Sequence, residues 1–459
     1  MAIPVAKTRF TQLDGLLQRT LMEEYVGWME LSPRDAVEWA QKSGLRHLCI
    51  TLKDPFQTRG CFGDIEAMVS VGSLAGLEIG WEEALESDLH WLANALNRAF
   101  EKSPSHELRY LRLVSCGNTK LGNLQEALGF TEMLPSSLRE LDLSNNDLPQ
   151  DAILALLNHV PHSIQVLKLS HNRFDDKVAT ALGKLLPGKQ IKVLNLHGAM
   201  DRLHLRHSEF PEASHITCKG AQALGSGIKK NHTLELLCLA AQRIGPQGAM
   251  ALADGIVGCG TSLQILDLSC NPIEDIGGEA LGNALKSGLQ LRQVILRRCK
   301  LGNKSMFAFA EALKENESLQ LLNLGANGPN VRAGITALAQ SLTRNSTLQE
   351  LHLFRCGLDL DCGRELAACI ERNTALRVLG LADNGQLGSS TASKFLLALE
   401  ANKARTSIEA IRLQRTFPST LNEWELANAT NPWLNRLKFE SFRLNSLALV
   451  PVAATPAAE

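Results

Sequence analysis

Aromatic residues are scarce in this chain: Phe, Trp and Tyr make up 5% of 459 residues, and only two are Tyr. A surplus of one charge is also missing, since 47 Lys and Arg face 48 Asp and Glu. A whole-chain nucleic-acid binder or a polybasic membrane binder needs a basic surplus, so neither is expected. No uninterrupted apolar run reaches the roughly 18 residues of a membrane-spanning helix. The opening MAIPVAKTRFTQLDGLLQRT has no apolar stretch of signal-peptide length. Eleven Cys are scattered without a C-x-x-C pair. An odd, unpaired set reads as reduced thiols in a cytosol. The expected location is therefore cytoplasmic. An injected effector acting in a host cytoplasm would look the same. The chain also lacks G-x-x-x-x-G-K-[ST], G-x-S-x-G and H-E-x-x-H, so neither enzyme activity nor a cofactor is expected.

What the chain does have is a repeat. The pattern L-x-x-L-x-L-x-x-N/C begins at Leu108, Leu138, Ile164, Ile191, Leu234, Leu263, Leu291, Leu319, Leu348, Leu376 and Ile408, with weaker copies at Leu45 and Leu74. From Leu234 to Leu376 the spacing is 28 or 29, and the last step is 32. In LQILDLSCN, Leu263, Leu266 and Leu268 alternate with polar residues, as in a strand with one buried face. The stretch after it carries Ile276, Ala280, Leu281, Ala284 and Leu285 at helical spacing, which predicts a helix with these residues inward. One strand and one helix cannot bury their apolar faces alone, so the copies must stack.

Two further positions recur. Three residues before each motif stand Asn231, Gly260, Gly288, Asn316, Asn345 and Asn373, which predicts a left-handed residue ending each helix. The motif's ninth position holds Cys116, Asn146, Asn172, Ala199, Gln242, Asn271, Cys299, Asn327, Cys356 and Asn384. A buried amide that satisfies the turn between units explains the Asn, and Cys fits the same space. The period, the helical outer side and the Asn/Cys alternation resemble the ribonuclease-inhibitor-like class of leucine-rich repeats, with Ala199 and Gln242 as departures. The resemblance spans about residues 45–416. It implies an α/β solenoid, or horseshoe, with parallel strands on the concave face, helices on the convex face and capped ends.

The expected organisation is an N-terminal helical cap over 1–44, about thirteen units over 45–416, a C-terminal cap over 417–448 and a disordered tail over 449–459. Trp28, Trp39, Trp81 and Trp91 lie early and Trp424 and Trp433 late, in keeping with capped ends. The step from Ile191 to Leu234 is 43 residues, which places an insertion near 200–215 after a strand. Its His204, His207 and His215, with His197 and Glu209, have zinc-compatible spacing, but the plainer reading is a polar loop, so no metal is expected.

Loops on a rigid scaffold are common recognition sites. Arg202, His204, Arg206, His207 and Phe210 are therefore expected contacts. On the strands, Cys238, Ala240, Asp267 and Ser269 look quiet. Arg297, Arg298, His352, Phe354, Arg355, Arg412 and Arg415 look like a mildly basic patch with an aromatic anchor. The expected function is a noncatalytic protein-interaction scaffold, an effector or cytosolic regulator, whose partner has an acidic surface. Nucleic acid, membrane and small-molecule partners are not expected. GTPase activation and substrate adaptation for a ubiquitin ligase are the alternatives. The chain shows neither the acidic tail of Ran activators nor a Cys after the last repeat.

Overall fold

The computed structural model describes residues 47–52, 74–81, 86–102, 107–115, 134–198, 215–258 and 262–413, with isolated positions between 63 and 70. The strands are His47–Leu52 (β1), Gly76–Trp81 (β2), Tyr110–Ser115 (β3), Glu140–Asp142 (β4), Val166–Lys168 (β5), Val193–Asn195 (β6), Leu236–Cys238 (β7), Ile265–Asp267 (β8), Gln293–Ile295 (β9), Leu321–Asn323 (β10), Glu350–His352 (β11), Val378–Gly380 (β12) and Ala410–Arg412 (β13). The α-helices are Glu86–Lys102 (α1), Gln150–His159 (α2), Asp176–Leu185 (α3), Cys218–Ile228 (α4), Pro246–Val257 (α5), Glu274–Lys286 (α6), Asn303–Leu313 (α7), Arg332–Leu342 (α8), Leu360–Arg372 (α9) and Gly388–Ala401 (α10).

All thirteen strands join one sheet in sequence order, and each pairs in parallel with its chain neighbours. Each begins two residues after the first apolar residue of its motif, as β8 follows Leu263 and β11 follows Leu348. The solenoid expected from the sequence is the fold observed. Leu263, Leu266 and Leu268 point between sheet and helices and are essentially inaccessible. Phe174, Phe309 and Phe395 are the largest side chains sealed in that layer.

The curvature follows from spacing. Strands stack about 4.8 Å apart, whereas packed helices want 8–10 Å. The helical side must therefore fan out. Small residues limit the mismatch. A Cβ on Gly225 would lie 2.4 Å from the Ala251 carbonyl oxygen, and one on Gly255 2.3 Å from that of Gly225. The backbones of α4 and α5 thus touch.

One helical expectation fails. Ile276 is 56% exposed, whereas Gly277, Gly278, Leu281, Gly282, Ala284 and Leu285 form the buried face of α6. Ile276 lies five residues, about 140° around the helix, from Leu281.

Of the expected left-handed helix ends, Gly288 is one, Gly260 lies outside the described residues, and the Asn positions are not left-handed. Gly288 has φ +91°, but Asn373 at the end of α9 has φ −72°, and none of Asn231, Asn316 and Asn345 is left-handed. Their side chains act instead. Asn345 donates from Nδ2 to the Leu313 and Asn316 carbonyls, while its Oδ1 accepts the Thr347 and Leu348 amides. Asn373 repeats this against Leu342, Asn345, Ala375 and Leu376. The series is an amide ladder that ties each helix end to the previous unit.

Left-handed backbone occurs after the strands. Asn145, His171, Ala241, Cys270, Arg298, Ala326, Arg355 and Asp383 have φ between 51° and 61°. Each stands just before the ninth motif position. For a residue with a side chain this costs about 1 kcal/mol. Within the array the cost is offset by a hydrogen bond to the next unit, as from Cys270 N to Arg297 O at 2.7 Å.

The ninth position forms the expected ladder. Asn327 Nδ2 donates to Leu296 O at 3.0 Å and Leu324 O at 2.7 Å, and Oδ1 accepts from Cys299 N at 2.8 Å and Leu301 N at 3.2 Å. Gln242 does the same work, donating to Leu196 O and accepting from Ile216 N. Cys299 and Cys356 donate from Sγ to Leu268 O and Leu324 O. A thiol is a weak acceptor, so the preceding turn must not need one. Before Cys356 that turn contains Pro329, which has no N–H. Before Cys299, Ile273 N is satisfied by Asn271 O at 2.8 Å. This accounts for the alternation of Asn and Cys.

The expected caps, the tail and the insertion lie outside the described residues, apart from positions flanking the insertion. β6 ends at Asn195 and α4 begins at Cys218, so the insertion does join a strand to a helix.

Candidate functional site

Side chains alternate across a strand. With the second motif Leu buried under the sheet, its two neighbours face the hollow. Parallel register then lines up residues from successive units, so that Asp267, Ile295, Asn323, His352, Gly380 and Arg412 form one row. The concave face has three zones.

The first is an ionic lattice over β2–β5. Arg112 bonds Glu78 and lies 3.3 Å from Asp142 Oδ2, and Lys168 Nζ meets Glu140 Oε1 at 2.9 Å. Burial raises the Glu78 carboxyl above its ordinary value, against the pull of Arg112. None of these residues was singled out from the sequence. Their signal was present at the third and fifth motif positions of the early copies.

The second zone is an apolar floor. Val166, Val193, Leu236, Cys238, Ala240 and Ile265 form a cluster separate from the main core, each at most 6% exposed. Asp267 is buried beside them. Its carboxylate accepts from Ser269 N at 2.9 Å, and the Cys238 thiol approaches at 3.9 Å. Burial raises the Asp267 carboxyl, opposed by Ser269, His197 and Arg297. Cys238, Ala240, Asp267 and Ser269, expected to line the hollow without marked chemistry, are buried.

The third zone, over β9–β13, holds the expected patch. The Arg297 guanidinium sits 5.4 Å from the centre of the Phe354 ring. The ring crosses Gly325, where a Cβ would come within 2.2 Å of it. His352 is buried, 3.3 Å from Glu350 Oε2, and leans over Gly380, where a Cβ would meet Nδ1 at 2.6 Å. Arg355 projects from its left-handed turn and donates to Asp383 Oδ2 at 2.9 Å. Arg377 bonds Glu409 on the strand-entry side. Arg412 lies beside Glu350, whose carboxyl is lowered by His352, Arg412 and Arg377 although burial opposes this.

The patch is therefore less basic than its cations alone imply. Glu350, Asp383 and Glu409 absorb part of the charge. Among the described residues no ion pair engages Arg297 or Arg298. Burial lowers the Arg297 guanidinium and the Arg298 and Arg355 charges lower it further, opposed by Cys270 and the buried Asp267. Arg202, His204, Arg206, His207, Phe210 and Arg415 lie outside the described residues. Among the described residues no group of three or more His, Cys, Asp or Glu could hold a metal ion, and no helix is long and apolar enough to cross a membrane.

Comparison with known proteins agrees with this architecture. Leucine-rich repeat family models match residues 137–159 and 261–282. The mouse ribonuclease inhibitor is 25% identical over 378 residues, covering 73% of this chain and 73% of that protein. Human NACHT, LRR and PYD domains-containing protein 5 is 25% identical over 342 residues, which is 68% of this chain but 25% of that larger protein. Among solved structures, the yeast Rad7–Elc1 complex contains a chain matching at TM-score 0.47 and 14% identity, covering 88% of this chain and 84% of that one. The family matches and relatives suggest a protein-interaction scaffold. The repeat register, the amide ladder and these relatives together make the chain a leucine-rich repeat solenoid that is similar to the ribonuclease-inhibitor-like class.

Proposed function

We propose that this chain is a noncatalytic recognition scaffold, a cytosolic regulator or effector, that binds an acidic protein surface on the concave side of β9–β13. The observation that carries this reading is the Arg297–Phe354 stack beside Arg298, two guanidinium groups that make no ion pair among the described residues. Aromatic and Arg side chains dominate binding hot spots. Arg297 and Phe354 sit in the hydrogen-bonded turns after β9 and β11, so little ordering entropy opposes association. Arg412 extends the surface, and Arg415 and the insertion residues Arg202, His204, Arg206, His207 and Phe210, outside the described residues, are further contacts on this reading. The partner's carboxylates take the place that Asp383 and Glu350 fill for Arg355 and His352.

The test is affinity purification with the full chain as bait, followed by titration of the captured protein. Phe354→Ala combined with Arg355→Ala abolishes capture, and deletion of 200–215 weakens it. Capture of the same partner at full strength by the double variant refutes the assignment to β9–β13. Accelerated phosphate release from a small GTPase, lost on a single Arg substitution, would replace the noncatalytic reading with GTPase activation.

A further inference from the structure

Arg297, Gly325 and Phe354 occupy the same phase of three successive units. Main-chain hydrogen bonds hold them in line, from Arg298 N to Gly325 O at 3.0 Å and from Ala326 N to Phe354 O at 2.6 Å. The ring leans backwards over the missing side chain of Gly325 and reaches the Arg297 guanidinium two strands away. With any side chain at 325 the ring could not lie there. Gly325 is not left-handed, so its backbone conformation does not demand glycine. The need for glycine is set by the ring.

The guanidinium so placed is unusual in two ways. Its Nε is buried with no hydrogen-bond partner, a costly state for a charged donor. It also stands near Arg298 and Arg355, like charges that act on it against the Cys270 thiol and the buried Asp267 carboxyl. Natural sequences break local rules of this kind at functional sites. A stack on an aromatic face fixes a guanidinium's plane and leaves its edge to receive a carboxylate through two parallel N–H bonds.

We propose that Gly325 is the specificity-determining residue of the concave surface: it lets Phe354 cross the turn after β10 and carry Arg297 as a cationic platform for one carboxylate of an acidic protein segment. This rests on the recognition reading above and adds the partner group and the residue that shapes its seat. Gly380 serves as the internal comparison. It makes room for His352, which has Glu350 beside it and is not part of the platform.

Two measurements test the proposal on the full chain. In the first, arginine side chains are isotope-labelled and the Arg297 δ-methylene protons are followed by NMR. Ring current from Phe354 shifts them upfield in the parent chain, and the shift is lost in Gly325→Ala as in Phe354→Leu. In the second, fluorescein-labelled acetyl-hexaglutamate is titrated by anisotropy at low salt. Gly325→Ala and Arg297→Gln each weaken binding about tenfold, the loss of one charge-assisted hydrogen bond, while Gly380→Ala does not. Circular dichroism of Gly325→Ala matches the parent, because the ring is half-exposed and can swing outward. A ring-current shift that survives Gly325→Ala overturns the role of the glycine. Absence of hexaglutamate binding to the parent chain overturns the carboxylate platform. Both results leave the concave-face reading to its own purification test, so the two failures are distinguishable.

Discussion

Removing one amide from the ladder should uncouple neighbouring units, and Asn327→Ala is the sharpest version. The Asn327 side chain makes four hydrogen bonds to backbone groups of three adjoining segments, at 2.7 to 3.2 Å, and is 8% exposed. A neutral hydrogen bond contributes about 1 kcal/mol net, and a buried group stripped of its partner costs 1–3 kcal/mol. Four bonds give a loss of about 4 kcal/mol, a large fraction of a stability that is typically 5–15 kcal/mol. Asn327→Cys should lose about half of that. Cys356 shows that a thiol at this position still reaches a carbonyl, but the Cys299 and Leu301 amides would have no acceptor. Urea unfolding followed by circular dichroism gives the size of the loss. Hydrogen exchange read by mass spectrometry gives its place. In a stack coupled through nearest neighbours the extra exchange belongs in the turns after β9 and β10. Asn283→Ala, on the exposed side of α6, is the control and should stay within about 0.5 kcal/mol of the parent. If Asn327→Ala falls within that margin too, the amides do not hold the turns and the account of the repeat is wrong.

Two other outcomes follow from buried titratable groups. The Asp267 carboxyl has a raised pKa in the fold, so between its unfolded and folded values the native state binds more protons. Stability therefore falls as pH rises through that window, and the penalty is complete above the folded value. Asp267→Asn should be more stable than the parent at neutral pH, with the gain vanishing in acid; a variant less stable at neutral pH would refute the assignment. The thiols should react in order of access. Burial pushes Cys356 and Cys369 up to about 12 and also raises Cys299 and Cys238 well above the ordinary thiol value. Iodoacetamide should therefore label the half-exposed Cys218 and Cys270 long before these four in the native protein, with all labelled after unfolding. Early labelling of Cys299, read by peptide mapping, would mean that the ladder opens.

How far the sequence could be read depended on whether a residue's job is local. Strand positions were legible because an apolar pattern of period two admits one face only, and a slip of one residue would expose every Leu. The phase of α6 was not, because its inner face is largely glycine and a hydrophobicity pattern cannot mark a face made of missing side chains. Asn was assigned a left-handed backbone at helix ends because residue type alone does not separate that role from a side-chain amide reaching into the previous unit. The charge balance of the patch is not legible at single positions for a related reason. Arg355 looks free beside Phe354, yet its partner Asp383 is 28 residues on. That separation equals the repeat length there, and in a parallel stack the residue at the same phase one unit away is a neighbour, so writing the units beneath one another brings Arg355 and Asp383 together. Lys168 and Glu140 are also 28 apart, but their units start 26 residues apart, so this pair runs diagonally between the fifth and third motif positions and the alignment alone does not join it. Aligned this way, Arg297 and Arg298 face Gly325 and Ala326, then Phe354 and Arg355, with no acid in either unit at that phase. The alignment identifies them as the cations left over. It cannot show that a ring bridges the gap, because that depends on a rotamer permitted by a single absent Cβ.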